Sequence, residues 1–365
     1  MWLYFSVIIV SYLFVVLSFR TNNKIFSLLL SCVAVLIPSL IAGYRDETVG
    51  MDLMYYAVPC FNSMQNIQNV SQLLVYIGFS DLEPLYLIYN FIITRFTDDF
   101  FWPLFIQQVM VLSLVLFTCY RFRYALNAPA LYLLFMLLCY CQSMSLNRQI
   151  FAIGILFFSF YYVVNRKLVK FLICIVFATL FHSSGIIGLP IYFIYSYVCK
   201  LKKKESNKFL LITCVLGLLF FFMFPMVITN LINLGILNAK YIRYTDSSFD
   251  THKIDMLIVM FLWCITLFGR RQIVYINVIR TFIVIVFFMY LCGVYNDVAT
   301  RAGIYYLLFT FMSVGIFIKG STKTLKTMSV FVISLYLIQF FYLAKTTDLS
   351  EALPYTSNEL GIIAK

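Results

Sequence analysis

The segment Tyr44-Arg45-Asp46-Glu47-Thr48-Val49-Gly50-Met51-Asp52 packs four charged residues into eight positions directly after an apolar run. In a chain that is 63% hydrophobic and only 12% charged, a cluster of that kind beside a bilayer marks a polar site facing water. Groups with the same chemical capacity recur further along. Asp81 and Glu83 share the same long loop, and Ser145-Leu146-Asn147-Arg148-Gln149 opens an apolar run. Phe181-His182-Ser183-Ser184-Gly185 joins two such runs, and Lys240-Tyr241-Ile242-Arg243-Tyr244 precedes Asp246, Asp250 and His252. Tyr295-Asn296-Asp297 leads to Arg301, with Tyr305 one helical turn later. Guanidinium forks bind oxyanions through two parallel hydrogen bonds, whereas a carboxylate or imidazole takes a proton from a hydroxyl.

Each group also has a plainer reading. Arginine anchors helices at membrane interfaces, His182 could end a helix, Glu83-Pro84 suits a helix start, and tyrosines line membrane borders. The shared location outweighs these readings. Arg45, Arg148 and Arg301 stand in three loops far apart in sequence, on the side where positive charge is disfavoured, and an anion-binding cavity explains that cost. Pyrophosphate matches the guanidinium fork and, in lipid-linked sugars, sits at the membrane surface. Asp52, Glu83 and His182 then compete for the role of base toward an incoming hydroxyl, and the arginines supply charge for a departing diphosphate. Neither the phosphate-binding Gly-x-x-x-x-Gly-Lys-[Ser/Thr] pattern nor Gly-x-Gly-x-x-Gly occurs, so the bond must be made with an already activated donor. The carboxylates lack any tight repeated spacing, and neither a metal site nor another cofactor is expected.

The elements that must position these groups are membrane helices. A mean hydropathy of +0.93 with 19% aromatic residues lies far outside the soluble range, and apolar runs bounded by charges predict an all-α polytopic protein. Twelve spans are expected, at residues 2–19, 25–42, 101–119, 129–144, 150–164, 168–181, 185–198, 209–231, 256–268, 273–292, 303–318 and 328–343. Pro84–Phe96 is too short to cross and reads as a re-entrant or interfacial helix. With that segment excluded from the crossings, seventeen of the 27 lysines and arginines fall on one side of the membrane and eight on the other. The positive-inside rule assigns the seventeen to the cytoplasm and both termini to the outside. The chain is then one integral membrane domain over residues 1–365. Its outer loops lie at about 43–100, 145–149, 182–184, 235–255 and 294–301.

The net charge of +12 is spread over short loops and does not form the single basic surface that nucleic acid requires. The ten cysteines sit mostly inside apolar runs, without zinc or redox spacing, as small buried hydrophobes. The first apolar run lacks a basic leader and an Ala-x-Ala site and reads as a span and not a signal peptide.

The order Arg45…Val49-Gly50-x-Asp52-x-x-x-Tyr56, Glu83-Pro84, Asn147-Arg148-Gln149 and Phe181-His182-Ser183-Ser184 resembles the EpsG-like group of Wzy-type polysaccharide polymerases. The Arg301 loop and Pro354-Tyr355 are also similar to that group. The match is good over roughly residues 40 to 190 and looser elsewhere. The resemblance implies a GT-C-like glycosyltransferase of the bacterial inner membrane, working at its periplasmic face on undecaprenyl-diphosphate-linked oligosaccharides to build O-antigen or related chains. Arg45, Arg148 and Arg301 are the expected diphosphate ligands. Asp52, His182 and Glu83 are the catalytic candidates, and Tyr56, Gln149, Tyr305 and Arg243 are expected to hold the acceptor sugar. Membrane lipid, a chain-length regulator and a flippase are the expected partners. A lipid-linked oligosaccharide flippase, a membrane acyltransferase with His182 as base, and a receptor or scaffold are the competing classes. The first would place charges inside the spans, where only Arg95 and Arg280 qualify. The second would show polar machinery at the cytoplasmic face, and the third would not depend on the arginines.

Overall fold

A computed structural model of the protein describes residues 1–235, 249–268, 275–320 and 322–363. Among them the only extended pairing is one antiparallel bridge between Ser357 and Ile362; the rest of the regular structure is helical. The helices are α1 (Trp2–Arg20), α2 (Lys24–Gly43), α3 (Val58–Asn66), α4 (Val70–Phe79), α5 (Pro84–Ile93) and α6 (Phe101–Phe122). They continue as α7 (Ala128–Cys139), α8 (Gln142–Ser145), α9 (Asn147–Val164), α10 (Leu168–Phe181), α11 (Pro190–Val198) and α12 (Lys203–Asn233). The last are α13 (Phe249–Phe268), α14 (Ile276–Cys292), α15 (Asp297–Gly320), α16 (Lys323–Thr346) and α17 (Asp348–Glu351).

Seven of these helices (α1, α2, α6, α9, α12, α15 and α16) are long and apolar enough to cross a membrane. The other five expected spans correspond to shorter apolar helices, among them α7, α10 and α14. The chain is a polytopic membrane protein. Helices α9 and α15 lie at its centre, with two-thirds or more of their apolar windows buried, whereas α12 is almost entirely on the outside. Around that centre α1 packs on α2, α2 on α6, α6 on α9, α9 on α10, and α14 on α15.

Helix α5 has 10 residues, which at about 1.5 Å per residue is half of a hydrocarbon core about 30 Å thick. It therefore does not cross, and the chain leaves and re-enters the bundle at the same end. Tyr44, just past α2, and Phe101, at the start of α6, have ring centroids 4.5 Å apart. The expected loop between them is itself folded, into a π-helical turn (Leu53–Ala57) and the helices α3, α4 and α5. Local signals account for this: Asn69 Oδ1 accepts the Gln72 N–H at 3.0 Å to cap α4, and Pro59 and Pro84 occupy the first turns of α3 and α5, where a missing N–H costs nothing.

Two further departures from the expected spans shape the site. The 129–144 span is broken between α7 and α8, and α8 itself ends at Ser145, so the Met144 carbonyl in its last turn is left for the Arg45 guanidinium (Nη2, 3.3 Å). The 185–198 span begins with a 3-10 turn, Ser183–Gly188. The α10–turn junction is so tight that a Cβ on Gly185 would lie 2.6 Å from the Ala178 carbonyl carbon.

Candidate active site

Glu83 is the residue through which the site is assembled. It stands immediately before α5, and its carboxylate reaches two other elements. Arg148 Nη1, in the first turn of α9, donates to Oε2. Oε1 lies 3.0 Å from His182 Nδ1 and accepts the Ser183 N–H at 2.9 Å. His182 and Ser183 belong to the turn that ends α10, where the His182 N–H still donates to the Ala178 carbonyl (2.8 Å). One carboxylate thus joins its own segment to two others that are 65 and 99 positions away in sequence. Burial pushes the Glu83 carboxyl up. The His182 hydrogen bond, the charges of Arg148 and His182 and the Ser183 amide outweigh it and hold the group at about 2, as expected for a carboxylate hydrogen-bonded in its charged form.

The Arg148 guanidinium lies over the Tyr56 ring, 4.0 Å from its centroid, and 5.6 Å from that of Tyr86. Both rings supply a negative face to the cation. Its buried Nε has no hydrogen-bond partner among the described residues. The Tyr56 hydroxyl donates to Asp52 Oδ2 one turn earlier. Burial raises the Asp52 carboxyl above its usual range; the Tyr56 hydrogen bond and the charges of Arg148, Arg301 and His182 oppose that rise. Asp52 is therefore within electrostatic reach of Arg148, Arg301 and His182.

Arg301 lies one turn into α15 and donates from Nε to Asp297 Oδ2 (2.8 Å), with about a third of its side chain exposed. Its backbone carbonyl accepts from Gln149 Nε2 at 2.9 Å, which locks the start of α15 to the start of α9. One turn further, the buried Tyr305 hydroxyl shares a 2.7 Å hydrogen bond with Ser184. Gln149 and Tyr305 are thus both committed to other protein groups, and they fix the turns that carry Arg148, Arg301 and His182.

Arg45 is placed apart from this group. It is 6% exposed and donates to the Ala42 carbonyl (2.6 Å), the Met144 carbonyl and Asn147 Oδ1 (3.1 Å). Burial lowers its guanidinium to about 10, which keeps it cationic at neutral pH. It braces the residue that precedes Arg148. The remaining expected sugar ligand, Arg243, lies outside the described residues.

One contributor has no counterpart among the expected site residues. The segment after α16 returns over the Arg45–Asp52 loop. The Gly50 N–H donates to the Glu351 carbonyl (3.0 Å) and the Asp46 N–H to the Thr356 carbonyl (3.0 Å). Only Pro354-Tyr355 hinted at it, because hydrogen bonds between backbone groups some 300 positions apart leave no mark on residue type. A family model described as the EpsG family matches residues 28–357. No curated protein and no solved structure matches the chain.

Proposed function

The chain belongs to the EpsG family and is a membrane protein of polysaccharide biosynthesis, and from that membership we propose that it is a polymerase that transfers a growing glycan between lipid diphosphates. The donor is the glycan on undecaprenyl diphosphate, and the acceptor is the non-reducing-end sugar of a second lipid-linked repeat unit. The acceptor hydroxyl oxygen forms the new bond to the donor's anomeric carbon, its proton passes to a base, and the old bond leaves its electron pair on the diphosphate. A single displacement inverts the configuration at that carbon. The reaction uses no metal, and it takes place at the periplasmic face of the inner membrane.

The observation that carries this reading is the convergence of Glu83, Arg148, His182, Asp52 and Arg301 from five separate segments at one end of the bundle. Arg148 and Arg301 bind the diphosphate and stabilise its growing charge. His182 turns Nδ1 to Glu83, which leaves Nε2 for the substrate. Glu83, committed to three donors, orients Arg148 and His182 and is not the base. Asp52 is the base: its raised carboxyl binds a proton more readily than an ordinary aspartate. Arg45 serves as a brace of the loop, and Tyr56 holds both Asp52 and Arg148.

The test is a gel of surface polysaccharide from a strain lacking the native protein and complemented with each variant. Arg148→Lys keeps the charge and loses the planar fork; Asp52→Asn keeps the shape and loses the base. Each is expected to reach the membrane in normal amounts and to replace the ladder of long chains with exported single repeat units, at a rate reduced roughly 10²-fold or more. Loss of exported single units as well would point to a flippase. Wild-type ladders from both variants would sink the assignment.

A further inference from the structure

The strap that follows α16 is anchored at several points. The Tyr4 hydroxyl donates to the Ala352 carbonyl (2.9 Å), and the Tyr355 hydroxyl to the Ile41 carbonyl (3.0 Å). The Asn358 N–H donates to Asp46 Oδ1 (2.9 Å). On its other side the Asp52 loop is pressed against α8: Gly50 has φ +93°, and a Cβ there would lie 2.2 Å from the Met144 carbonyl oxygen. The loop that carries Asp52 is therefore clamped between α8 and the strap.

Within the strap, Leu349 and Glu351 adopt φ values of 53° and 66°, two of the three left-handed non-glycine residues described in the protein. That conformation is costly for a residue with a Cβ, and it persists only where the surroundings impose it. Packing accounts for Leu349, whose side chain is buried. It does not account for Glu351, whose side chain is exposed; glycine would meet the backbone need with less strain. The Glu351 carbonyl accepts the Gly50 N–H two positions before Asp52, which holds the exposed side chain beside the Asp52 loop; partial burial and the Asp52 charge raise its carboxyl, and the Met51 amide and the Arg301 charge oppose that rise.

We infer that the strap is a wall of the active site and that the Glu351 carboxylate accepts hydrogen bonds from hydroxyl groups of the acceptor sugar. This rests on the polymerase reading. Its chemistry follows from charge: a carboxylate repels the diphosphate, so the ligand on the Asp52–Glu351 rim is neutral and rich in hydroxyls, while Arg148 and Arg301 take the anion. Carboxylates accept such donors strongly, and two oxygens suit two adjacent hydroxyls.

The experiment uses the full-length protein in detergent with lipid-linked repeat units extracted from the host strain. Glu351→Gly removes the carboxylate and relieves the backbone strain, so its unfolding temperature should equal or exceed that of the wild type. Glu351→Gln keeps size and removes charge. Both are expected to raise the half-saturating concentration of repeat units about tenfold, with the saturated rate nearly unchanged, as for a lost hydrogen bond to a charged group. Glu351→Asp should recover part of the loss. Wild-type saturation behaviour in both the glycine and glutamine variants, or an unfolding temperature that falls in step with elongation, would overturn the inference and leave the polymerase reading standing. Failure of the wild-type protein itself to elongate these units would instead sink that reading.

Discussion

At the residue scale, the site depends on one carboxylate that joins an arginine and a histidine. Glu83 is held down at about 2, against an ordinary value of 4.5. Because the folded protein binds that proton less readily than the unfolded chain, the stabilisation is complete above about pH 4.5 and is lost as the pH falls toward about 2. Replacing Glu83 with Gln strands Arg148 and should cost roughly 3 kcal/mol near neutral pH. The gap in unfolding temperature between wild type and variant should then narrow on moving from pH 7 to pH 3. A gap that stays constant with pH would mean that Glu83 stabilises by shape and not by charge. The types of these residues were readable from the sequence: a glutamate before a proline, an arginine opening an apolar run, a histidine in a turn. That they touch was not, because no local pattern relates positions 65 and 99 apart. The same limit applies to Arg45, whose type suggested an anion ligand and whose guanidinium donates to the Ala42 and Met144 carbonyls and to Asn147.

At the scale of elements, polar groups left over by one helix are satisfied by another. Pro38 lies inside α2 and has no N–H to give the Ala34 carbonyl, which would be left bare in the membrane interior. Ser11 Oγ of α1 donates to that carbonyl at 2.6 Å and pairs with the Tyr132 hydroxyl of α7 at 2.8 Å. Removing the hydroxyl with Ser11→Ala should cost about 1 kcal/mol, in the range of interhelical hydrogen bonds in membranes. In a Pro38→Ala background the helix itself supplies the missing donor, so the same change should cost much less. Unfolding of the four proteins in micelles measures the difference, and equal costs in both backgrounds would remove this account of α1–α2 packing. The apolar runs made most helix positions readable. The α7–α8 break and the 3-10 turn after His182 were not, since both arise from what the neighbouring segments press against them.

At the scale of the whole molecule, the candidate site gathers at one end of the bundle. The far end is marked by Lys319 donating to the Arg123 carbonyl and by the Asn127 N–H donating to the Gly315 carbonyl (2.8 Å). A reporter active only in the cytoplasm should work when fused after Lys204 and stay silent when fused after Asp52 or Asp99. An active reporter at Asp52 would put the site on the cytoplasmic side and exclude a periplasmic polymerase. Sequence alone determined that this is an all-helical membrane protein and where most of its helices lie. Those properties are sums over local hydropathy, and each helix satisfies its own backbone wherever it is placed. It also identified the residue types from which a site could be built. Only the tertiary structure decided that Glu83 joins Arg148 to His182, that Arg45 turns inward, and that the strap closes over Asp52. These outcomes depend on which side chains find buried partners, and that is set by packing between segments that share no local pattern.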